Sequence, residues 1–438
     1  MSTQTVCGSC TWALFAGPQV ANGERYRAAI TPTGMDGRAG GTVETGSARP
    51  AALSASIPAN DDALDRAIED VGNRPAFRGS PDQAGLAVSM ADGKLIVGLA
   101  DNQRYTAHAA DIARTGSAAQ VTVRPMKYST ATLQALSDRI AREARELRSG
   151  GIRVTSTSVN VLANKVTVEA IPATAATVDA LAAEYGPDTL IVRGGQVHTR
   201  QAGNNPEGQP APRIPSSLDM SWYGGIWVGD VPGSGDCTAG YIAVKKTGER
   251  YLTTAGHCYT VGTLVFDGAG TQIGRVTEAL DGHGDEADGA LISLNSPDLA
   301  TNQIIAQATS VWRNVTDEAE RFVPGTRVCF SGAESNQQKC AFNANQGEII
   351  FDDGTVQHDV SIAYNPQFPV DDYAPQGDSG AAVYRSLERD ELRVYGITNG
   401  SAWYEDDDGT ILTGGFYYSF TTNIQEHFGV TALTTPVP

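Results

Sequence analysis

The sequence predicts a chain in two parts, an α+β front segment followed by an all-β C-terminal half. Three observations carry this. Between about residues 118 and 195 the apolar periodicity switches between strand and helix in the order β-α-β-β-α-β. After a proline-rich stretch at 201–217, short apolar runs recur between turn residues, with one good helix candidate among them. The charge divides at the same place. Residues 1–213 carry 21 basic and 20 acidic side chains, whereas residues 214–438 carry 11 and 30.

Residues 1–60 are rich in Gly, Ala, Thr and Ser without periodicity and read as a loosely ordered leader. Leu64 to Val71 fits a short helix. Gly85–Val88 and Leu95–Leu99 fit a hairpin turning at Asp92-Gly93. Val121–Met126 alternates as a strand. Thr130 is the expected cap of a helix with Leu133, Leu136, Ile140, Ala144 and Leu147 on one face, ended by Gly150. Strands are expected at Ile152–Leu162 and Val166–Ile171, a helix at Thr177–Tyr185 and a last strand at Thr189–Val192. That order predicts a ferredoxin-like split βαβ sheet with helices on one face.

Residues 201–217 form an extended linker open to proteolysis. Beyond it, Tyr241–Val244, Leu264–Phe266, Ala290–Leu294, Arg327–Phe330, Ala381–Tyr384 and Val394–Ile397 read as strands of a sandwich or barrel. Thr421–Phe428 reads as a helix.

Composition excludes several functions. The net charge of −18 argues against a nucleic-acid partner, which needs a basic face. No apolar run approaches the ~18 residues of a membrane-spanning helix. Cys237, Cys258, Cys329 and Cys340 allow three pairings, and the neighbouring pairs would close short loops, implying an oxidising compartment. Cys7 and Cys10 have redox or metal spacing, but nothing nearby completes a zinc site. Thr11–Gly17 is too short and lacks the basic lead of a signal core, so the start is expected upstream.

Three segments carry chemistry: Thr253-Thr-Ala-Gly-His257-Cys258, Asp288-Gly-Ala-Leu-Ile-Ser-Leu294 and Gln376-Gly-Asp-Ser379-Gly380. A serine hydroxyl becomes a useful nucleophile when a base takes its proton and a third group orients that base. Ser379, His257 and Asp288 supply those types in the order His–Asp–Ser. Asp285 competes with Asp288, but Asp288 directly leads the apolar strand. His283, His358 and His427 read as surface residues.

These blocks, together with Val328-Cys329-Phe-Ser-Gly332, Cys340 and Gly414-Gly-Phe-Tyr-Tyr-Ser-Phe420, resemble the bacterial chymotrypsin-like serine endopeptidases of the α-lytic protease and streptogrisin group, over about residues 220–435. The resemblance implies two packed six-stranded β-barrels in a protease domain at 218–438, with His257, Asp288 and Ser379 catalytic between them. It implies the pairs Cys237–Cys258 and Cys329–Cys340, and an oxyanion hole from the backbone N–H groups of Gly377 and Ser379. Residues 61–200 then correspond to a pro-region that assists folding and inhibits the product until the linker is cut.

The sequence also departs from the family. The place of a cation that holds Asp378 is taken by Phe330, leaving Arg327, or a new amino terminus at Ile226, as substitutes. Asn399 replaces a serine bonded to the catalytic carboxylate. Tyr373, six residues before Ser379, is expected at the pocket base beside Asp371 and Asp372, with Asn399, Gly400, Gly414 and Gly415 on the walls. This favours an apolar or small side chain before the scissile bond. The expectation is a secreted, monomeric, cofactor-free endopeptidase acting on proteins or peptides, with its own pro-region as partner. The rival is a non-catalytic binding or adhesion protein on a protease fold.

Overall fold

The computed structural model describes residues 62–89, 93–115, 120–193, 196–201, 221–306, 311–351, 354–365, 367–370, 372–387, 390–405 and 411–435. Two short strands, β1 (Ala29–Ile30) and β2 (Val43–Glu44), pair with each other. The rest of the expected leader, with Cys7 and Cys10, lies outside the described residues, as do linker residues 202–217 and Asp371. Among the described residues no helix is long and apolar enough to cross a membrane.

The front segment begins with α1 (Asp62–Gly72), whose Leu64, Ala67, Ile68 and Val71 recur at helical spacing. They pack on Leu95, Val97 and Leu99 of the hairpin β3 (Gln83–Ser89) and β4 (Lys94–Ala100). A short helix, α2 (Tyr105–Ile112), precedes β5 (Val121–Met126). Helix α3 (Thr130–Ser149) is capped by Ser129, not Thr130: the Ser129 hydroxyl accepts the Thr132 N–H at 3.3 Å. Then come β6 (Arg153–Asn160), β7 (Lys165–Ile171), α4 (Ala175–Tyr185), β8 (Leu190–Arg193) and β9 (Gln196–Gln201). Leu133, Ile140 and Ala144 of α3 and Leu181 of α4 bury one face against Val166, Val168 and Ala170.

The elements keep the expected order, but the sheet differs. A ferredoxin-like sheet would set β5 between β7 and β8. Instead β7 pairs β8 directly in parallel, and β5 runs parallel to β4 in a separate three-stranded sheet. Leu95, Ile96, Val97 and Leu99 of β4 are all buried, so β4 offers β5 an apolar partner that local periodicity cannot weigh against β7.

The C-terminal half is mostly β. Its first strands are β10 (Trp222–Gly224), β11 (Trp227–Gly229), β12 (Cys237–Thr238), β13 (Ile242–Lys245) and β14 (Arg250–Thr254). They are followed by β15 (Leu264–Asp267), β16 (Gln272–Asp281) and β17 (Asp288–Leu294). Next come β18 (Ala300–Ala306), β19 (Val311–Glu318), β20 (Arg327–Gly332), β21 (Gln337–Ile350) and β22 (Val356–Asn365). The chain ends with β23 (Ala382–Ser386), β24 (Glu391–Glu405), β25 (Ile411–Phe420), α5 (Thr421–Phe428) and β26 (Val430–Ala432).

An eight-stranded sheet runs β12-β11-β15-β16-β17-β14-β13-β26, with Val265, Ile273, Val276, Leu252 and Ile292 in its core. In the larger sheet, β20, β21, β22, β25, β24 and β23 each pair with two neighbours and close a ring. Phe330, Val383, Phe416, Tyr418 and Phe420 share one buried cluster within it. Ile424 and Phe428 of α5 join Tyr241, Leu291 and Ile397, and β26 pairs with β13, so the C terminus stitches the ring to the first sheet.

The front segment adds strands at two edges. β6 extends β21, with Thr157 opposite Glu348. β9 runs antiparallel along β24, from Gln196 opposite Glu405 to Gln201 opposite Gly400.

Candidate active site

Three pieces of backbone converge where the first sheet meets the ring. His257 sits in a single 3-10 turn, Gly256–Cys258, just after β14. Gly256 is required there by close approach, because a Cβ would lie 1.7 Å from the Leu280 carbonyl oxygen. Asp288 opens β17. Ser379 lies in the turn before β23, between Gly377 at φ +99° and Gly380 at φ +88°, a left-handed backbone that glycine adopts without strain.

The side chains form one line. His257 Nδ1 is 2.7 Å from Asp288 Oδ2, and His257 Nε2 is 2.9 Å from Ser379 Oγ. Asp288 is fully buried, and its Oδ1 accepts the backbone N–H groups of Gly256 (2.8 Å) and His257 (3.0 Å). An ionised carboxylate accepts only, so Nδ1 carries the proton and Nε2 is left to accept the Ser379 hydroxyl. That hydroxyl has a second acceptor, the Asn399 carbonyl at 3.1 Å. Asp288, not Asp285, is the carboxylate at His257.

Around this line the second contacts are specific. Asn399 Nδ2 donates to the Asp288 backbone carbonyl at 2.7 Å, rather than to its carboxylate. Ser419 Oγ accepts the Asp288 N–H at 2.7 Å and donates to Asn399 Oδ1 at 3.0 Å. The Cys237–Cys258 disulfide ties the histidine turn to β12. The next residue, Thr238, then holds the serine loop: its N–H donates to the Ser379 carbonyl (2.7 Å) and its hydroxyl to the Gly377 carbonyl (2.6 Å). Cys329–Cys340 forms the other disulfide, bridging directly opposed residues of β20 and β21. Cys237, His257 and Cys258 are the one cluster of metal-type ligands among the described residues, and both sulfurs are spent in the disulfide.

The N–H groups of Gly377 and Ser379 donate to no protein acceptor among the described residues. Between them Asp378 is fully buried above Gly332, whose added Cβ would lie 1.9 Å from Oδ1. Asp378 Oδ1 accepts the Ser335 N–H at 2.9 Å, while Oδ2 has no partner among the described residues. Burial pushes this carboxyl up to about 6, with Ser335 and the Lys339 charge pulling the other way. Neither expected cation serves it. Arg327 is exposed, and Ile226 is a buried interior residue. The cation that acts on it is Lys339, whose ammonium is committed to the Tyr373 carbonyl at 2.7 Å.

Asn399 and Gly400 lie beside the serine, with Gly400 opposite Gln201 of β9. Tyr373 is buried; its ring stacks on Phe416 and its hydroxyl donates to the Cys340 carbonyl at 2.7 Å. Gly414 admits the carbonyls of Phe368 and Val370, and Gly415 that of Ala363. His358, expected at the surface, pairs with buried Glu348, and His427 lies 3.4 Å from Glu286. Thr238, Ser419 and Ser335 escaped the sequence reading. Thr238 directly follows Cys237, which was the available signal.

No protein-family model matches the chain, and no curated protein matches its sequence. Among solved structures it is similar to a Nocardiopsis protease (19% identity, TM-score 0.38, covering 48% of this chain and 97% of that one). It is likewise similar to a chymotrypsin of Cellulomonas bogoriensis (17%, 0.36, 49% and 98%) and to protease A of Thermobifida fusca (20%, 0.37, 49% and 98%).

Proposed function

We propose that the chain is a serine endopeptidase, exported and made as a zymogen, with His257, Asp288 and Ser379 as its triad. The carrying observation is the relay from buried Asp288 through His257 to Ser379 Oγ at 2.7 and 2.9 Å. In this reading His257 Nε2 takes the Ser379 proton as Oγ attacks a peptide carbonyl. The carbonyl oxygen, now negative, is met by the free N–H groups of Gly377 and Ser379. His257 returns the proton to the departing amine, and water then repeats the cycle on the acyl-enzyme. One oxyanion donor is worth ~2.7 to 4 kcal/mol of barrier in such a site.

An extended substrate would form main-chain bonds along the edge of β24 next to Asn399. In the intact chain β9 holds that edge, which supports reading residues 61–200 as an inhibitory pro-region and the linker as the activation point. The two-barrel architecture and a monomeric enzyme belong to this reading. Export is read from the two disulfides.

The test is peptide hydrolysis by protein cut in the linker. Ser379→Ala is expected to lose on the order of 10⁶-fold in kcat with an unchanged circular dichroism spectrum. Hydrolysis unchanged by that substitution, or absent from the unsubstituted cut protein, would leave the rival binding-protein reading.

A further inference from the structure

Only eleven basic residues follow residue 213, and three of them, Arg321, Arg385 and Arg393, meet α1. Arg385 and Arg393 are direct partners in the β23–β24 ladder, so their side chains leave the sheet on the same face. Like charges set opposite each other across a strand pair repel. Both guanidiniums are also nearly withdrawn from water, each side chain 11% exposed. Asp317 answers Arg393 on one side, at 2.6 Å.

The remaining countercharge comes from α1. Asp65 meets Arg385 at 3.0 Å, and Glu69 meets Arg393 at 3.1 Å. The two carboxylates stand four residues apart, so one face of one helix supplies both. Arg321 completes the seat at the C-terminal end of α1. It donates to Asn73 Oδ1 at 3.2 Å and lies against Gly72, where a cation also suits the helix dipole. With α1 in place the two arginines lie side by side and nearly buried, each answered by a carboxylate, which is the character of a built anion site.

We propose that Arg385 and Arg393 form a binding site for acidic helical segments, filled by α1 in the intact chain and open to the acidic segment of a protein substrate after the front segment leaves. Its opening rests on the zymogen reading above; the site itself does not. Arg393 precedes Asn399 by six residues on β24, about 20 Å along an extended strand. The site therefore grips a substrate away from the bond that is cut. Arginine suits this task, because its planar fork pairs carboxylates and keeps its charge at any working pH.

The test starts from the full chain carrying a site-specific protease sequence within residues 205–212. The folded protein is cut, the front segment is removed in salt, and the remainder is titrated with a fluorescent peptide of residues 61–74. Binding is expected to weaken at least tenfold between 50 and 300 mM salt. It should also weaken tenfold for the peptide with Asp65→Asn and Glu69→Gln, and for protein with Arg385→Gln and Arg393→Gln. In the uncut chain the same arginine substitutions should speed hydrogen exchange across α1, a readout that needs no separated half. Equal binding of the neutral and acidic peptides, or unchanged exchange in the arginine variant, overturns the proposal. Fluorophosphonate labelling of the same sample reports the protease reading separately, so each failure is identifiable.

Discussion

Asp378 is a buried carboxylate with few partners among the described residues. It is fully buried beside the serine, accepts one N–H and leaves one oxygen without a partner. Its carboxyl is raised from 3.8 to about 6 by burial, so the folded chain holds this proton more tightly than the unfolded chain does. The stability linked to that proton is fully present below about pH 4 and is lost as pH rises through about 6. Asp378→Asn keeps an acceptor for Ser335 and removes the buried charge. In a Ser379→Ala background it is expected to stabilise the chain by about 2 to 3 kcal/mol at pH 8 and by little at pH 4. Denaturant unfolding at both pH values measures this. An equal effect at the two would refute the assignment. Thr238→Val is expected to lower kcat about tenfold with KM little changed, because it frees the Gly377 carbonyl and loosens an oxyanion donor; a change confined to KM would exclude that role. Residues of this kind also mark what sequence could reveal. The hydrogen-bonded line of Asp288, His257 and Ser379 was legible because its members differ in residue type and follow a fixed chain order. Thr238 and Ser419 were not, since common hydroxyl residues gain meaning only from what they face.

Among elements, the contact of β6 with β21 holds a buried carboxyl raised above its ordinary value. Glu348 lies opposite Thr157, is 3% exposed, and pairs with His358. Burial raises its carboxyl, and Asp359 and Asp138 raise it further against the pull of His358. Asp138 comes from α3, so the front segment helps to create this environment. Docking is therefore expected to retain a proton, with a stabilisation present at low pH that fades as pH rises through the raised value of Glu348. After the linker is cut, the front segment is expected to bind more tightly at pH 5.5 than at pH 8.5, and Glu348→Gln should flatten that difference. Titration of the cut halves at both pH values checks it; a steeper dependence in Glu348→Gln would count against it. The elements themselves were largely readable: α1, β5, α3, β7 and α5 fall where periodicity places them. Their partners were not. Whether β5 joins β4 or β7 depends on residues distant in sequence, and the long strands β21 and β24 mix polar residues into any simple alternation.

At the scale of the molecule, the halves carry unequal charge, yet the ion pairs at α1 run against that imbalance. Carboxylates of the near-neutral front segment meet arginines of the acidic half. Salt should still weaken the association, because these pairs sit at an interface that water enters when it opens. Inhibition of the cut protein by added front segment is expected to relax several-fold from low to high salt; inhibition that strengthens with salt would point to apolar docking alone. The proposal that His257 and Asp288 make Ser379 a nucleophile has a direct readout. It is tested most directly by treating linker-cut protein with a fluorophosphonate and mapping the adduct by peptide mass. A single adduct on Ser379 is expected, lost in His257→Ala and slowed while β9 holds the edge of β24. An adduct elsewhere, or none on correctly folded cut protein, would contradict it.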